Sequence, residues 1–288
     1  MDSIDTQTRK PLIVRDSDSG INELGSLWKK MKSDFLESLH PAWELAKRDL
    51  RGAYRQSILG FFWILLPPLI TTALWICLNQ AGITRMEASG LPYAIFVTAG
   101  TILWSSFTDA LNSPRNQISA NLSSLSNLNF PPETIFLSGI IQVAINFMVR
   151  VLILVGMLLW FRQGVSLYSW MYLPCGMLVI LVGFSAGLYL VPFSSLYKDV
   201  GQIINLALPL FMFLAPVVYE VPEGGVLRLL MLANPLTYIV DCARSSLHAL
   251  PPLADFIGVG ICLLLACGLL VVGWFFNRLT LHHLVERS

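Results

Sequence analysis

The residues able to do chemistry are scattered along this chain instead of gathered. Asp16-Ser17-Asp18 has the DxD spacing with which many glycosyltransferases hold a metal, but it stands in a polar, aperiodic stretch with no fold around it, so it reads as chance. His282 and His283 are adjacent, and nothing at ligand spacing accompanies them. Cys77, Cys175, Cys242, Cys262 and Cys267 show no CxxC pair, and most lie in apolar runs where Cys behaves as a small hydrophobe. No GxxxxGK[ST] loop is present, so the chain has no phosphate cradle of that kind and carries no recognisable catalytic residues. Charge placement is more informative. Lys47, Arg48, Arg51 and Arg55 abut a run from Gln56 to Thr84 without a single charge, and Arg150 interrupts another apolar run.

The elements that must hold these residues are set by composition. The chain has 288 residues, 55% of them hydrophobic and only 13% charged, with a mean hydropathy of +0.65. That balance suits a protein surrounded largely by lipid and excludes an ordinary soluble domain. A net charge of +1 gives no footprint for nucleic acid. The first 57 residues carry ten Lys/Arg and nine Asp/Glu, over half of all the charges, so they form an aqueous segment. No signal-peptide pattern opens the chain, so the N-terminus is expected in the cytoplasm.

Residues 1–26 read as a flexible cytoplasmic tail and 27–56 as amphipathic interface helices, with Trp28, Met31, Phe35 and Leu39 at helical steps, a break near Pro41, then Trp43, Ala46 and Leu50. That stripe suits either the membrane interface or a cytoplasmic partner. A span needs about 20 apolar residues. Six uncharged or nearly uncharged runs qualify, near 58–78, 91–109, 135–161, 171–191, 200–219 and 256–277, followed by a cytoplasmic tail at 278–288. The fold class is an all-α polytopic membrane protein. Counting Lys and Arg in the flanking loops gives eight on the inner side against four outside, Arg244 among the latter, so both termini are expected in the cytoplasm.

Four further features bear on mechanism. The loop 112–132 is rich in Ser and Asn, and Ile118, Leu122 and Leu125 follow helical steps, so it is either a short docking helix or a solvated turn. The outer region 220–252 contains Gly224-Gly225, a short apolar piece, Asn234-Pro235 and a second piece from Leu236 to Leu247. It suits two re-entrant half-helices or a surface loop. Pro67 and Pro68 remove two backbone donors from the first span and are expected to bend it. Arg150 either snorkels to the outer headgroups or lines an aqueous path. Asp109 is its obvious partner, yet the assigned spans put Asp109 near the inner face and Arg150 in the outer half, so the two are expected not to meet.

Five blocks in order, RDLRGAYRQSILGFFWILLPPL at 48–69, GLPYAIFVTAGTILWSSFTDAL at 90–111, NFPPE at 129–133, LYKDVGQIINLALPLFMFLAPVVYE at 196–220 and NPLTYIVDCAR at 234–244, resemble the membrane (permease) subunit of type 2 ABC exporters for polysaccharides, the group that moves O-antigen, capsular polysaccharide or teichoic acid. The resemblance covers nearly everything after Trp43. It implies a homodimer above two ATPase subunits that bind ATP and Mg, with no cofactor in this chain, and a lipid-linked polysaccharide moving through a channel at the dimer interface in the bacterial cytoplasmic membrane. It makes 112–132 the coupling helix, with Arg115, Asn116, Ile118, Asn121 and Leu122 facing the ATPase. Arg48, Arg51 and Arg55 then lie near the ATPase or the lipid headgroups. Phe62, Trp63, Tyr93, Trp104, Phe107 and Arg150 are candidate channel-lining residues, because sugar C–H faces stack on aromatic rings. Two short re-entrant helices gate the outer exit around Asn234 and Pro235.

Rival readings make different demands on the sequence. An exporter of a small lipid or drug would share this fold. A secondary transporter should show corresponding broken helices in two repeats, and no internal repeat is evident. A membrane-embedded glycan-modifying enzyme should gather acidic or His residues at one face, and none gather.

Overall fold

The computed structural model describes residues 24–55, 58–82, 90–125, 133–164, 166, 168–247 and 256–285. Among them every regular element is helical: α1 (Leu24–Arg55), a 3-10 turn (Gly60–Ile64), α2 (Leu66–Gln80), α3 (Tyr93–Leu125), α4 (Glu133–Trp160), a 3-10 turn (Ser169–Met171), α5 (Tyr172–Leu196), α6 (Lys198–Phe211), a 3-10 turn (Met212–Leu214), α7 (Val226–Ala233), α8 (Pro235–Ser245) and α9 (Phe256–Val285). The polar tail with Asp16 and Asp18 lies outside the described residues, as do the side chains of His282 and His283.

Four helices are long and apolar enough to cross a membrane, α3, α4, α5 and α9, while α7 and α8 form a pair bent by 85°. The first and fifth expected spans are shorter than the sequence suggested, with 15 residues in α2 and 14 in α6. Burial orders the layers. The apolar windows of α3 and α5 are 72% and 61% buried, against 33% for α4 and 17% for α9. Thus α3 and α5 make the centre, and the apolar outer faces of α4 and α9 are left exposed.

The central pair is close because glycine permits it. A Cβ on Gly183 of α5 would sit 2.7 Å from the Phe107 carbonyl oxygen and 3.0 Å from the Ala110 Cβ, and one on Gly187 would collide with the Leu111 carbonyl. Gly183 and Gly187 form a GxxxG pair, the spacing that lets two membrane helices touch backbone to backbone. Ile95, Ile102 and Leu103 of α3 and Ile180 and Leu188 of α5 fill the seam and are almost wholly buried.

Proline placement departs from the sequence expectation in two places. The expected break near Pro41 is absent, since α1 runs unbroken through it. Ser38, Ala42 and Ala46 are completely buried, and α1 packs along α4, so tertiary packing outweighs the lost backbone bond. The expected bend within one helix at Pro67-Pro68 is instead a helix start: the 3-10 turn ends and the two prolines occupy the first turn of α2, where an N–H has no intrahelical partner. The segment 112–132 also differs from a loop carrying its own helix. Through Leu125 it is the continuation of α3, with Pro114 inside, and 126–132 lies outside the described residues. Similarly, α9 continues into the expected tail as far as Val285.

Candidate functional site

At the end of the bundle where α1 packs, three helices are tied by polar side chains. Arg48 of α1 donates to Asn121 Oδ1 of α3 at 3.1 Å and to its neighbour Asp49, whose other oxygen accepts from Gln142 of α4 at 3.2 Å. Lys47 pairs with Glu44 at 2.7 Å, and its hydrogen bond to that exposed carboxylate holds the Glu44 pKa below the usual range. The apolar face of α1 is divided. Phe35 lies against Trp274 of α9, with ring centroids 5.3 Å apart, whereas Leu36, Leu39 and Trp43 remain exposed.

The five candidate coupling residues separate in the same region. Ile118 and Asn121 are buried within the protomer, Asn116 is exposed, and Arg115 is partly covered. The side chain of Leu122 lies outside the described residues, as does that of Arg55, while Arg51 is exposed. Arg115 donates to Asn112 at 2.9 Å and its guanidinium lies on Gly201 of α6, where any Cβ would collide with it.

Deeper in the bundle, Arg150 of α4 is only 5% exposed and its Nη2 sits 2.7 Å from Asp109 Oδ2 of α3. This overturns the expectation that the two lie at different depths. From Asp109, α3 runs a further 16 residues to Leu125, and α4 begins 17 residues before Arg150. At about 1.5 Å per residue the two are then level, roughly 25 Å from that end. The contacts Thr98–Met157, Asp109–Arg150 and Ser113–Gly139 show the antiparallel register directly. Neither snorkelling nor an open aqueous face describes Arg150. Its Nε also donates to the Ile64 carbonyl at 3.2 Å, at the end of the 3-10 turn, and Nη1 has no hydrogen-bond partner.

The aromatic candidates divide as well. Phe62 and Trp63 are 68% and 53% exposed. Tyr93, Trp104 and Phe107 are partly buried and packed against the core, Trp104 on Phe107 at 5.4 Å and Tyr93 stacked on Phe96 at 6.4 Å. Only the first two offer open ring faces.

At the opposite end, Asn234 makes the 85° corner. Its Oδ1 accepts from the Leu236 N–H at 3.0 Å, capping α8, and its Nδ2 donates to the Leu214 carbonyl at 3.0 Å, while Pro235 opens α8. Thr237 and Tyr238 donate back to the Met231 and Leu232 carbonyls, closing the corner. Arg244 counts among the outer positive charges in the sequence, and the structure buries it within the bundle. It is 4% exposed, donates to the carbonyls of Pro216 and Val217, and its guanidinium carbon lies 3.6 Å from the Phe96 ring centroid. Non-helical backbone within a membrane protein needs such donors. The signal was present, because Arg244 follows Leu236 and Val240 at steps of four on the buried face of α8.

One more pair escaped the sequence reading. Glu133, the first residue of α4, is 2% exposed and accepts from Arg278 of α9 at 3.0 Å. It stands in the first turn, where the helix dipole also favours its charge.

A helical bundle with glycine-packed central helices, four helices long and apolar enough to cross a membrane and one sharply bent helix pair defines a multi-pass membrane protein. The chain belongs to the ABC-2 type transporter family, whose description matches residues 41–248. It is 26% identical over 231 residues to an O-antigen export system permease protein from Myxococcus xanthus, covering 77% of this chain and 87% of that one. It is also 22% identical over 188 residues to one from Klebsiella pneumoniae, covering 62% of this chain and 70% of that one. The family supplies the transport subunit of its complexes and works with an ATPase partner.

Proposed function

We propose that this chain is the membrane subunit of an ATP-driven exporter that moves a lipid-linked polysaccharide across the bacterial cytoplasmic membrane. The family match, joined to relatives named as O-antigen export permeases and aligned over most of their length, carries this reading. Two copies of the chain enclose the channel, and two ATPase subunits below them bind ATP and Mg and perform the hydrolysis. Six spans follow if the stretches 60–80 and 198–214 each cross and the α7–α8 pair re-enters from the outer side, which leaves both termini cytoplasmic. The 21 residues of the first stretch are long enough for this.

In this reading α3 is the lever. Its 33 residues span about 50 Å, against a hydrocarbon core of about 30 Å, so one end projects into the cytoplasm. Closure of the ATPase pair pushes on the exposed positions near Asn116, and Arg115 passes the displacement to α6 through Gly201. Arg48 and Arg51 face anionic headgroups or the ATPase. Phe62 and Trp63 offer their rings to passing sugars, and the Asn234–Pro235 corner gates the outer exit.

Reconstitution with the partner ATPase in proteoliposomes tests this. ATP hydrolysis stimulated by an undecaprenyl-linked glycan supports the assignment. Stimulation by small amphiphiles and not by the glycan would transfer it to small-lipid or drug export, and transport without ATP would abolish the ATPase-driven scheme.

A further inference from the structure

Two oddities in the sequence meet in one place. The Ile64 carbonyl would ordinarily accept from the N–H of residue 67 in a 3-10 turn or residue 68 in an α-helix, and both of these are proline. Neither backbone donor exists. Ile64 itself is 4% exposed, and a membrane interior has no bulk water to fill the gap. The donor comes from α4: Arg150 Nε reaches this carbonyl, and Asp109 on α3 balances the guanidinium charge.

We propose that Arg150 is a positioning residue for the aromatic pair Phe62 and Trp63. It replaces the donor that Pro67 and Pro68 remove, so the first span can stop as a 3-10 turn at Ile64 and restart as α2. Within the turn, Phe62 N–H donates to the Leu59 carbonyl and Leu65 N–H to that of Phe62, both at 3.0 Å. Ile64 is the buried side of this turn, and Phe62 and Trp63 are its exposed side. Beyond the prolines, the contact between Thr72 and Thr101 at 3.2 Å holds α2 on α3. The turn is thus pinned on one side by Arg150 and on the other by the seat of α2. Asp109 serves by balancing the guanidinium charge and holding its orientation. This inference rests on the proposed export function only where it concerns what Phe62 and Trp63 do, and not for the geometry.

The test uses the full-length chain with exposed Cys77 and Cys267 changed to Ser and a nitroxide on Trp63→Cys. The double variant Arg150→Met, Asp109→Asn is expected to lose folded, monodisperse protein because Ile64 is left without a donor. Adding Pro68→Ala supplies an N–H four residues on and is expected to restore the yield. It should not restore Glu133→Gln, a variant at a distant ion pair. Failure to restore the first, or equal restoration of both, would overturn the proposal. In the restored triple variant the turn is helical, so the nitroxide spectrum at residue 63 must shift, and an unchanged spectrum also overturns it. Export, measured in the same triple variant without the label, separates the two levels. Loss of export from folded protein supports both, whereas full export with a shifted label leaves the positioning role standing and removes Phe62 and Trp63 from the path.

Discussion

Replacing Gly183 by Ala measures how tightly the centre of the bundle is built, and Gly156 provides an internal reference. At Gly183 the new Cβ stands 2.7 Å from the Phe107 carbonyl oxygen, short by about 0.7 Å of the 3.4 Å at which ordinary contact begins, and backbone cannot rotate away as a side chain can. At Gly156 a Cβ meets nothing within 4 Å. Both substitutions gain the same helix propensity, about 0.8–1 kcal/mol, so the difference between them isolates the clash. Overpacking of a well-filled core costs about 1–3 kcal/mol. For a protein of this size that difference corresponds to roughly 3–10 °C in melting temperature. The assay is thermal unfolding in detergent, followed by loss of the monodisperse peak in size-exclusion chromatography. Gly156→Ala should melt at or slightly above the parent and Gly183→Ala well below Gly156→Ala. Equal melting of the two variants would refute the glycine-mediated contact between α3 and α5.

Two further outcomes are expected. Arg244→Met leaves the Pro216 and Val217 carbonyls without their donor, at about 1–3 kcal/mol for each buried unsatisfied group, so limited proteolysis should speed up in the 215–247 region while the ends of α4 and α9 stay resistant. Arg278→Met strands the buried Glu133 carboxylate at about 3–5 kcal/mol, and adding Glu133→Gln should return most of that loss in a melting series; a double variant no better than Arg278→Met would count against the pair.

Much of the architecture is legible in the chain because it depends on neighbours in sequence. Uncharged runs locate α3, α4, α5 and α9, since burial in lipid imposes a length on each helix. The Asn234-Pro235 dipeptide marks the bend between α7 and α8, since proline takes the first position of a new helix and Asn caps it. The exposed aromatics at Phe62 and Trp63 were also within reach, as were the basic residues near Arg48. The face presented by residues 115–122 was less so: helical spacing puts Ile118 and Leu122 on one stripe, but it cannot say that Ile118 turns inward while Asn116 stays exposed.

By itself, the sequence determined that this is a helical membrane protein, where its apolar helices lie, and the block order that resembles a polysaccharide-exporter permease. Only the tertiary structure decided which charges meet. Whether Arg150 faces Asp109 depends on the sliding register of α3 against α4, and that register follows from the full lengths of both helices and from close contacts such as Ser113 at Gly139. The role of Pro67 and Pro68 depended on it too. Their missing N–H groups are written in the chain, but the donor that replaces them lies 86 residues away and is brought to Ile64 by packing alone.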